Sequence, residues 1–457
     1  MLHAETSATK QLGEFAAALR YEDLPADVVA RLKACVLDAL GCCLFGVTLP
    51  WTKMLIDLVT EEGGNPIARV PGTTLRTSVS QAVLIGATAG HGFEMDDIHA
   101  AAHLHCGSLA LPTALALTDR HDGVDGRRLI AALAAGYEAG LRVGLAATGK
   151  LFMRGFHFQG ACGPFVAAAT GANLLALPPE QARQALGIAG SFGAGLMAAQ
   201  EGSMSKRLHS GRAAQAGVMS AQLAARGFTG IPNVLEADYG GFLSTLSGEP
   251  ELSHLTRGLG TEWEIRHVGY KPYATAASVQ SVLFAIDGLM AENTLTADDI
   301  ESVHVHCSTM AHRHCAWPYE PAGVTAAQMN MFFAAAMMML DRNAMADQFR
   351  EDRLSDPAAL AIMERIQIDA DPKYDVGGDK TRHHARVELI AKGKRLKREV
   401  LERPGSPGNP LSPEQLQRKF STLAAAVLPA ERIPKIIEAV AALEDIPART
   451  LTGLATP

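Results

Sequence analysis

Apolar residues recur at a helical spacing over the first half of the chain. Between residues 5 and 230 they fall at positions i, i+3, i+4 and i+7, and the pattern breaks at glycine or proline. The clearest segments are residues 28–45, 78–92, 126–148 and 181–198. The pattern predicts that this part of the chain is built from helices.

The pattern of apolar and polar residues changes near residue 269. Residues 302–308 alternate between apolar and polar positions as a strand does, and residues 366–370 form another short strand pattern. Residues 385–402 predict a hairpin that turns near residues 392–394. From Ser412 the chain is helical again, because Ser412 and Pro413 form a cap and first-turn pair.

Together these patterns predict a mainly α fold with two domains. A large all-helical domain comprises residues 1–268 and, as returning C-terminal helices, residues 409–457. A smaller α+β domain, residues 269–408, interrupts it. The cleft between two such domains is the default place for a small-molecule site.

Composition and charge argue against several partners. The 457 residues are 48% hydrophobic and 19% charged, and the formal net charge of -7 is spread without a basic run. We therefore expect neither a nucleic-acid nor a membrane partner. The most apolar run, residues 329–340, is too short to span a bilayer. The first fifteen residues show no secretory signal, and seven cysteines in apolar contexts predict free thiols in a reducing cytoplasm.

Three glycines at four-residue spacing mark one predicted helix. Gly136, Gly140 and Gly144 lie within the segment GYEAGLRVGLA. Their missing side chains would let another helix approach this face closely. We interpret them as packing residues.

The sequence shows no cofactor motif. Residues 187–195 (GIAGSFGAG) are rich in glycine, but no strand precedes them, and neither a P-loop nor a G-x-S-x-G motif occurs. One run offers six potential zinc ligands, namely His304, His306, Cys307, His312, His314 and Cys315. Its spacing matches no familiar zinc finger, and strand alternation would point Cys307 away from His304 and His306. We therefore predict no metal and no cofactor, with a structural zinc as the alternative.

The richest polar stretch is residues 94–107 (EMDDIHAAAHLHCG), which holds three carboxylates, three histidines and a cysteine. Carboxylate and imidazole groups serve both metal ligation and proton transfer. If the preceding helix continued, Asp96, His99 and His103 would share one face, yet no H-E-x-x-H pattern appears. From these residues alone, a metal site, an acid/base site and a solvated helix end all stay open.

Three further segments place a lysine or histidine among glycines and small residues. They are residues 155–165 (GFHFQGACGPF), 204–217 (MSKRLHSGRAAQAG) and 269–280 (GYKPYATAASVQ). With residues 94–107 they resemble the MmgE/PrpD family, which includes dehydratases, decarboxylases and epimerases of polycarboxylates. The resemblance covers nearly the whole chain. It implies a cofactor-independent homodimer in which the α+β domain forms a lid.

The resemblance also implies a set of site residues. The expected catalytic residues are His105, His157, Lys206 and Lys271, and the expected substrate-binding residues are Glu94, Asp97, His103, Arg207 and His209. Two ammonium groups could hold substrate carboxylates and stabilise an enolate-like species. Two imidazoles suit proton transfer near neutral pH. We expect His157 to be the principal acid/base and His105 to polarise or protonate the leaving group, although the two roles could be exchanged.

Three positions depart from the family pattern. Glu94 stands where the family commonly has aspartate, Ile98 where it has threonine, and Phe333 where it has tyrosine. The leading hypothesis is a hydro-lyase that removes water from a hydroxy di- or tricarboxylate such as 2-methylcitrate. The alternatives are an epimerase, a cis-aconitate-type decarboxylase, a zinc enzyme and a catalytically silent dimeric scaffold.

Overall fold

The structure, a computed structural model, describes residues 7–457. The segment predicted to hold no secretory signal begins with residues 1–6. These six residues lie outside the described residues. The chain is 59% helical and its strands form small sheets, so the prediction of a mainly α chain is confirmed.

Within the described residues, eleven α-helices precede residue 250. They are α1 (Ala8–Ala18), α2 (Ala26–Gly46), α3 (Pro50–Glu62), α4 (Val79–Gly90), α5 (Gly107–Arg120), α6 (Gly126–Met153), α7 (Phe158–Ala161), α8 (Gly163–Leu174), α9 (Pro179–Ala189), α10 (Ser205–Ala224) and α11 (Phe242–Leu246). The predicted helix over residues 181–198 is too long, because α9 ends at Ala189 and only short 3-10 turns follow. Two small antiparallel strand pairs accompany these helices. They are β1 (Ala68–Arg69) with β2 (Arg76–Thr77), and β3 (Ile98–His99) with β4 (Val268–Gly269), which follows α11.

A four-stranded sheet follows, with helices between its strands. The helices are α12 (Ala277–Glu292), α13 (Thr309–Cys315), α14 (Val324–Met329), α15 (Met331–Asp341) and α16 (Pro357–Met363). The strands are β5 (Ile300–Cys307), β6 (Ile366–Ala370), β7 (Ala385–Ala391) and β8 (Lys394–Val400), in the order β6-β5-β7-β8. Only β5 and β6 are parallel. The predicted strands and hairpin are confirmed.

Buried apolar side chains form two main cores. The first gathers side chains from residues 12–270 and from the last helices, α17 (Pro413–Ala424), α18 (Arg432–Ala441) and α19 (Arg449–Leu454). The second lies mostly within residues 274–400. The C-terminal helices therefore pack against the first helices of the chain. The exact domain boundaries and the lid arrangement stay predictions.

Helix α6 is the central helix of the first core. By length and composition it could cross a membrane, as could α2 and α3 taken as one span bent by 77°. Yet 94% of the most apolar stretch of α6 is buried inside the fold, as in the core helix of a globular domain. Its glycines do face neighbouring elements: a Cβ at Gly136 would lie 1.9 Å from Thr170 Oγ1.

We predict that Gly136→Ala destabilises the protein by about 1–3 kcal/mol, because the added methyl group overpacks the contact between α6 and α8. The matched control is Gly453→Ala at an exposed position of α19, where a Cβ would meet nothing within 4 Å. That change should be neutral or stabilise by up to about 1 kcal/mol, since alanine is the better helix former. Urea unfolding of both variants measures the difference, and equal effects would contradict the close approach.

Candidate active site

A narrow cavity of about 50 Å³, the site cavity, lies where the first core meets the residues of the second. Six of the nine predicted site residues line it: Glu94, His103, His105, His157, Lys206 and Lys271. Asp97, Arg207 and His209 do not line it. Residues distant in sequence thus meet at one place, around a volume large enough for a few water molecules.

The segment between α4 and α5 supplies most of one wall. Helix α4 ends at Gly90, so the prediction that Asp96, His99 and His103 could share a helical face is wrong. A continued helix is blocked because Glu94 and His103 have left-handed backbone angles, with φ of 56° and 55°. Such angles cost free energy in residues other than glycine, and surrounding contacts must offset that cost.

The Glu94 carboxylate supplies those contacts, because it binds three buried cations. Lys206 and Arg207 both donate to Oε1, and Lys271 Nζ lies 3.2 Å from Oε2. Burial would raise the pKa of Glu94, but the three cations hold it well below its ordinary value. Burial lowers the pKa of Lys206 to about 8, with Glu94 opposing this shift.

A second carboxylate, Asp96, organises two imidazoles. His91 Nδ1 lies 2.7 Å from Asp96 Oδ2, and His105 Nδ1 lies 3.4 Å from Asp96 Oδ1. His105 Nδ1 also lies 2.7 Å from the Asp97 carbonyl oxygen, which leaves Nε2 as the ring nitrogen available to a bound molecule. Burial lowers the pKa of His105 to about 3, with Asp96 opposing, so the ring is neutral at physiological pH.

His91 and Asp96 were not among the predicted site residues. In an extended segment, Glu94 and Asp96 point to the same side and Asp97 to the other. That alternation was the signal that could have favoured Asp96. Asp97 instead lies behind the wall, where its carboxyl group accepts hydrogen bonds from the Tyr137 hydroxyl (2.7 Å) and the Gly107 amide (3.0 Å).

Arg207 and His209 also lie behind the cavity wall. Besides Glu94, the Arg207 guanidinium contacts Gln328 Oε1 at 3.0 Å and so links α10 to α14. His209 Nδ1 lies 3.0 Å from His157 Nδ1. These two residues therefore hold the groups that line the cavity, and the geometry gives neither of them a direct place in it.

The site cavity is also lined by cationic and imidazole groups that the sequence did not place there. Arg382 lines the cavity and its guanidinium contacts His103 Nδ1, while His103 stacks on Phe158 with ring centroids 4.6 Å apart. His314 and His383 line the same cavity. Only the fold brings these residues to the site, because they follow His103 by more than two hundred positions.

The departures from the family pattern fall into two groups. Glu94 and Ile98 line the site cavity, so both can influence which substrate fits. Phe333 does not line it: the ring is buried in the second core and stacks on Tyr319 with centroids 4.8 Å apart. A phenolic hydroxyl at residue 333 would therefore lie outside the cavity wall.

One group of side chains in the part of the chain that the structure describes could hold a metal ion. It comprises His91, Asp96 and His105, whose ligand atoms lie within 4.8 Å of one another. Lys271 Nζ, 3.7 Å from Asp96 Oδ1, already places positive charge beside it. The six residues of the predicted alternative zinc run are dispersed, since His304 pairs with Asp369 (2.7 Å), His314 lines the cavity and Cys315 is buried in the second core.

Comparison with known proteins agrees with the resemblance seen in the motifs. The MmgE/PrpD N-terminal domain matches residues 10–255, and the MmgE/PrpD C-terminal domain matches residues 273–445. A cis-aconitate decarboxylase of Aspergillus terreus is 30% identical over 97% of this chain and 94% of its own length. A cis-aconitate decarboxylase-like protein, oryM, of Aspergillus oryzae is 29% identical over 96% and 95%. The human cis-aconitate decarboxylase is 25% identical over 92% and 88%.

We predict that Glu94→Gln lowers the free energy of unfolding by about 3–5 kcal/mol, because three buried cations lose their common carboxylate. The matched control is Glu180→Gln, whose exposed carboxylate lies 2.6 Å from Arg183. That change should cost less than about 1 kcal/mol. Urea unfolding at pH 7.5 measures both, and equally small losses would contradict the role of Glu94 as the common anchor.

A second prediction concerns Asp97, whose burial raises its pKa to about 8. The folded protein then holds a proton that the unfolded chain releases near pH 4, so this group's contribution to stability falls as pH rises from about 4 to 8. Asp97→Asn imitates the protonated carboxyl and removes this dependence.

Urea unfolding between pH 5 and 8 tests that prediction. Relative to the wild type, Asp97→Asn should flatten the decline in unfolding free energy by up to about 1.4 kcal/mol per pH unit. The control Asp238→Asn, at an exposed position, should leave the slope unchanged. Parallel curves for the wild type and Asp97→Asn would show that Asp97 is ionised in the folded protein.

Proposed function

The chain belongs to the MmgE/PrpD family, a family of lyase-type enzymes, and on this premise we propose that it decarboxylates cis-aconitate or a close tricarboxylate analogue without a cofactor. The sequence alone ranked a dehydratase first and a decarboxylase as an alternative. The relatives support the decarboxylase instead, because the similar proteins of Aspergillus terreus and of human are named cis-aconitate decarboxylases. No match supports a 2-methylcitrate dehydratase.

The charge of the site cavity is the observation that carries the proposal. Four cations, Lys206, Lys271, Arg207 and Arg382, lie at or directly behind its wall, against the two carboxylates Glu94 and Asp96. The histidines that line the cavity carry no negative charge, so they do not offset the positive charge of the lysines and arginines. The excess of positive charge, in a protein of net charge -7, favours a polyanionic substrate at this place.

The arrangement suits decarboxylation next to a carbon–carbon double bond. Loss of CO2 leaves an electron pair that a neighbouring carboxylate can take up as an enolate-like species. The ammonium groups of Lys206 and Lys271, both buried, stabilise that charge. A carbon atom must then receive a proton, and His157 and His105 are the imidazoles that line the cavity for this step.

Both imidazoles are neutral before the substrate binds. Burial and the positive field of Lys206 hold the pKa of His157 well below its ordinary value. A bound polyanion opposes that field, so it raises the pKa of His157 and favours uptake of the proton that the reaction consumes. Substrate binding and protonation of the acid are thus coupled through electrostatics.

The site cavity must widen for cis-aconitate to bind. Its present volume of about 50 Å³ is well below the roughly 300–1,000 Å³ of pockets that bind small molecules. Its walls combine residues from separate parts of the chain, such as Lys206 and His157 with Lys271 and Arg382. Separation of these walls would admit the substrate, and their return would exclude water.

We predict that chelator-treated protein converts cis-aconitate in D2O to one product and one equivalent of CO2, with one deuteron on carbon. Proton NMR and CO2 capture measure this, with citrate, 2-methylcitrate and iminodisuccinate tested in parallel. Lys206→Met should lower kcat/KM by at least about 100-fold, because it removes a buried cation next to the developing charge. The control Lys53→Met changes an exposed lysine of α3 and should have no effect.

Other outcomes would overturn the proposal. A new alkene from 2-methylcitrate without CO2 release would identify a dehydratase. Deuterium exchange with inversion of iminodisuccinate would identify an epimerase. Activity that disappears with chelation and returns with zinc would contradict cofactor-free chemistry and point to His91, Asp96 and His105.

A further inference from the structure

His157 and His209 face each other through the same ring nitrogen. Their Nδ1 atoms lie 3.0 Å apart, and the ring planes are tilted by 53°. His157 lines the site cavity, whereas His209 lines a separate outer cavity of about 860 Å³. His209 therefore touches the acid/base residue from behind and has no contact with the space for substrate.

The backbone around the two rings holds this pairing in place. Helix α10 carries Lys206 and His209 one turn apart, so one helix supplies both a cation of the cavity and the partner of His157. The His157 amide donates to the Gly195 carbonyl at 3.0 Å. Gly195 has a φ of 126°, and a Cβ there would lie 3.2 Å from the His209 ring. Glycine at this position leaves room for the ring.

Two facing Nδ1 atoms can share only one proton. A neutral imidazole carries one proton on its two nitrogens, so one ring donates and the other accepts. If His157 donates, its Nε2 holds a free lone pair; if His209 donates, Nε2 of His157 carries the proton. The pairing thus decides the state of the nitrogen that remains for the substrate.

The groups around His157 favour the form in which it donates its Nδ1 proton to His209. The groups that act on its ring are Lys206 from α10, His91 from the end of α4 and His105 from the segment before α5. The Lys206 ammonium favours a lone pair on the remaining nitrogen of His157. His209 stays neutral at physiological pH, since burial, His91 and Lys206 lower its pKa to about 4.

The partner of His157 also differs from the partner of the other two imidazoles. His91 and His105 both contact the Asp96 carboxylate, which stabilises an imidazolium. His157 has a neutral imidazole as its ring partner. Of these three, protonated His157 therefore gives up its proton most readily.

We propose that His209 is a positioning residue that accepts the Nδ1 proton of His157 and so keeps Nε2 as the nitrogen that delivers a proton to substrate carbon. The step rests on the proposed decarboxylation. The C–C bond to the departing carboxylate breaks, CO2 leaves, and its electron pair stays on the substrate. Carbon then takes the Nε2 proton of the His157 imidazolium, which returns to the neutral form with its proton on Nδ1. Water then restores the Nε2 proton and leaves as hydroxide, which combines with the released CO2 as bicarbonate.

Nitrogen NMR of histidine-labelled protein tests the pairing without any substrate. In the wild type, neutral His157 should carry its proton on Nδ1, the assignment coming from the signals lost in His157→Gln. In His209→Leu the proton should move to Nε2, the form that an unpaired imidazole prefers. A His157 proton on Nε2 in the wild type, or the same form in both proteins, would overturn the proposal.

Kinetics then test the consequence for catalysis. His209→Leu should lower kcat by at least about tenfold with KM changed less than twofold, since His209 does not touch substrate. His209→Asn, whose amide can accept at the Nδ1 position, should recover most of kcat. His254→Leu, a histidine outside the site cavity that contacts Glu251, is the control and should match the wild type.

The outcomes separate the two proposals. A large rise in KM with kcat unchanged, or an equal loss in the leucine and asparagine variants with folding intact by circular dichroism, would overturn the positioning role. If the wild type releases no CO2 while the NMR result holds, the proposed function fails and the pairing stands. If CO2 is released and the NMR result fails, only the pairing is wrong.

Discussion

The carboxylate of Glu94 connects the parts of the chain that form the site. It binds Lys206 and Arg207 from α10 and Lys271 from the segment before α12, all of them buried. Three cations at one place repel each other and resist desolvation, so each could remain charged in the interior only beside a shared anion. The strained backbone at Glu94 is the local cost of this contact. Other features of the site follow from where this carboxylate holds the lysines.

The histidines near Glu94 differ in the group that contacts their ring nitrogen. Asp96 contacts His91 and His105, while His157 is paired with a neutral ring. A carboxylate partner and a neutral partner shift proton affinity in opposite directions. The ring centroids of His105 and His157 lie 5.0 and 5.7 Å from that of His91, so neighbouring imidazoles differ in how readily they release a proton. The proposed decarboxylation delivers one proton to substrate carbon, and the imidazole with the neutral partner is the one suited to release it.

The position of the site cavity follows from the two cores. The first core supplies Glu94, His157 and Lys206, and residues beside the second supply Lys271 and Arg382. Since no single core holds all of these groups, a movement of one core against the other would change the volume of the cavity. The same geometry places Ile98 and Glu94, two departures from the family pattern, directly on the wall. A change at Ile98 can therefore alter the shape of the wall while Glu94 keeps the cations in place.

Much of the fold was predictable from the sequence, because helices such as α2 and α4 and strands such as β5 depend on local periodicity and caps. The lysines and histidines at the site were identified only through the resemblance, since their spacing matches no general motif. Sequence could not show that the carboxylate of Asp96, rather than that of Asp97, contacts the imidazoles, or that His209 lies behind His157. Those distinctions depend on where an irregular segment turns and on which charges become buried together. Periodicity is a local property of the chain, whereas burial and the pairing of distant charges exist only once the chain has folded.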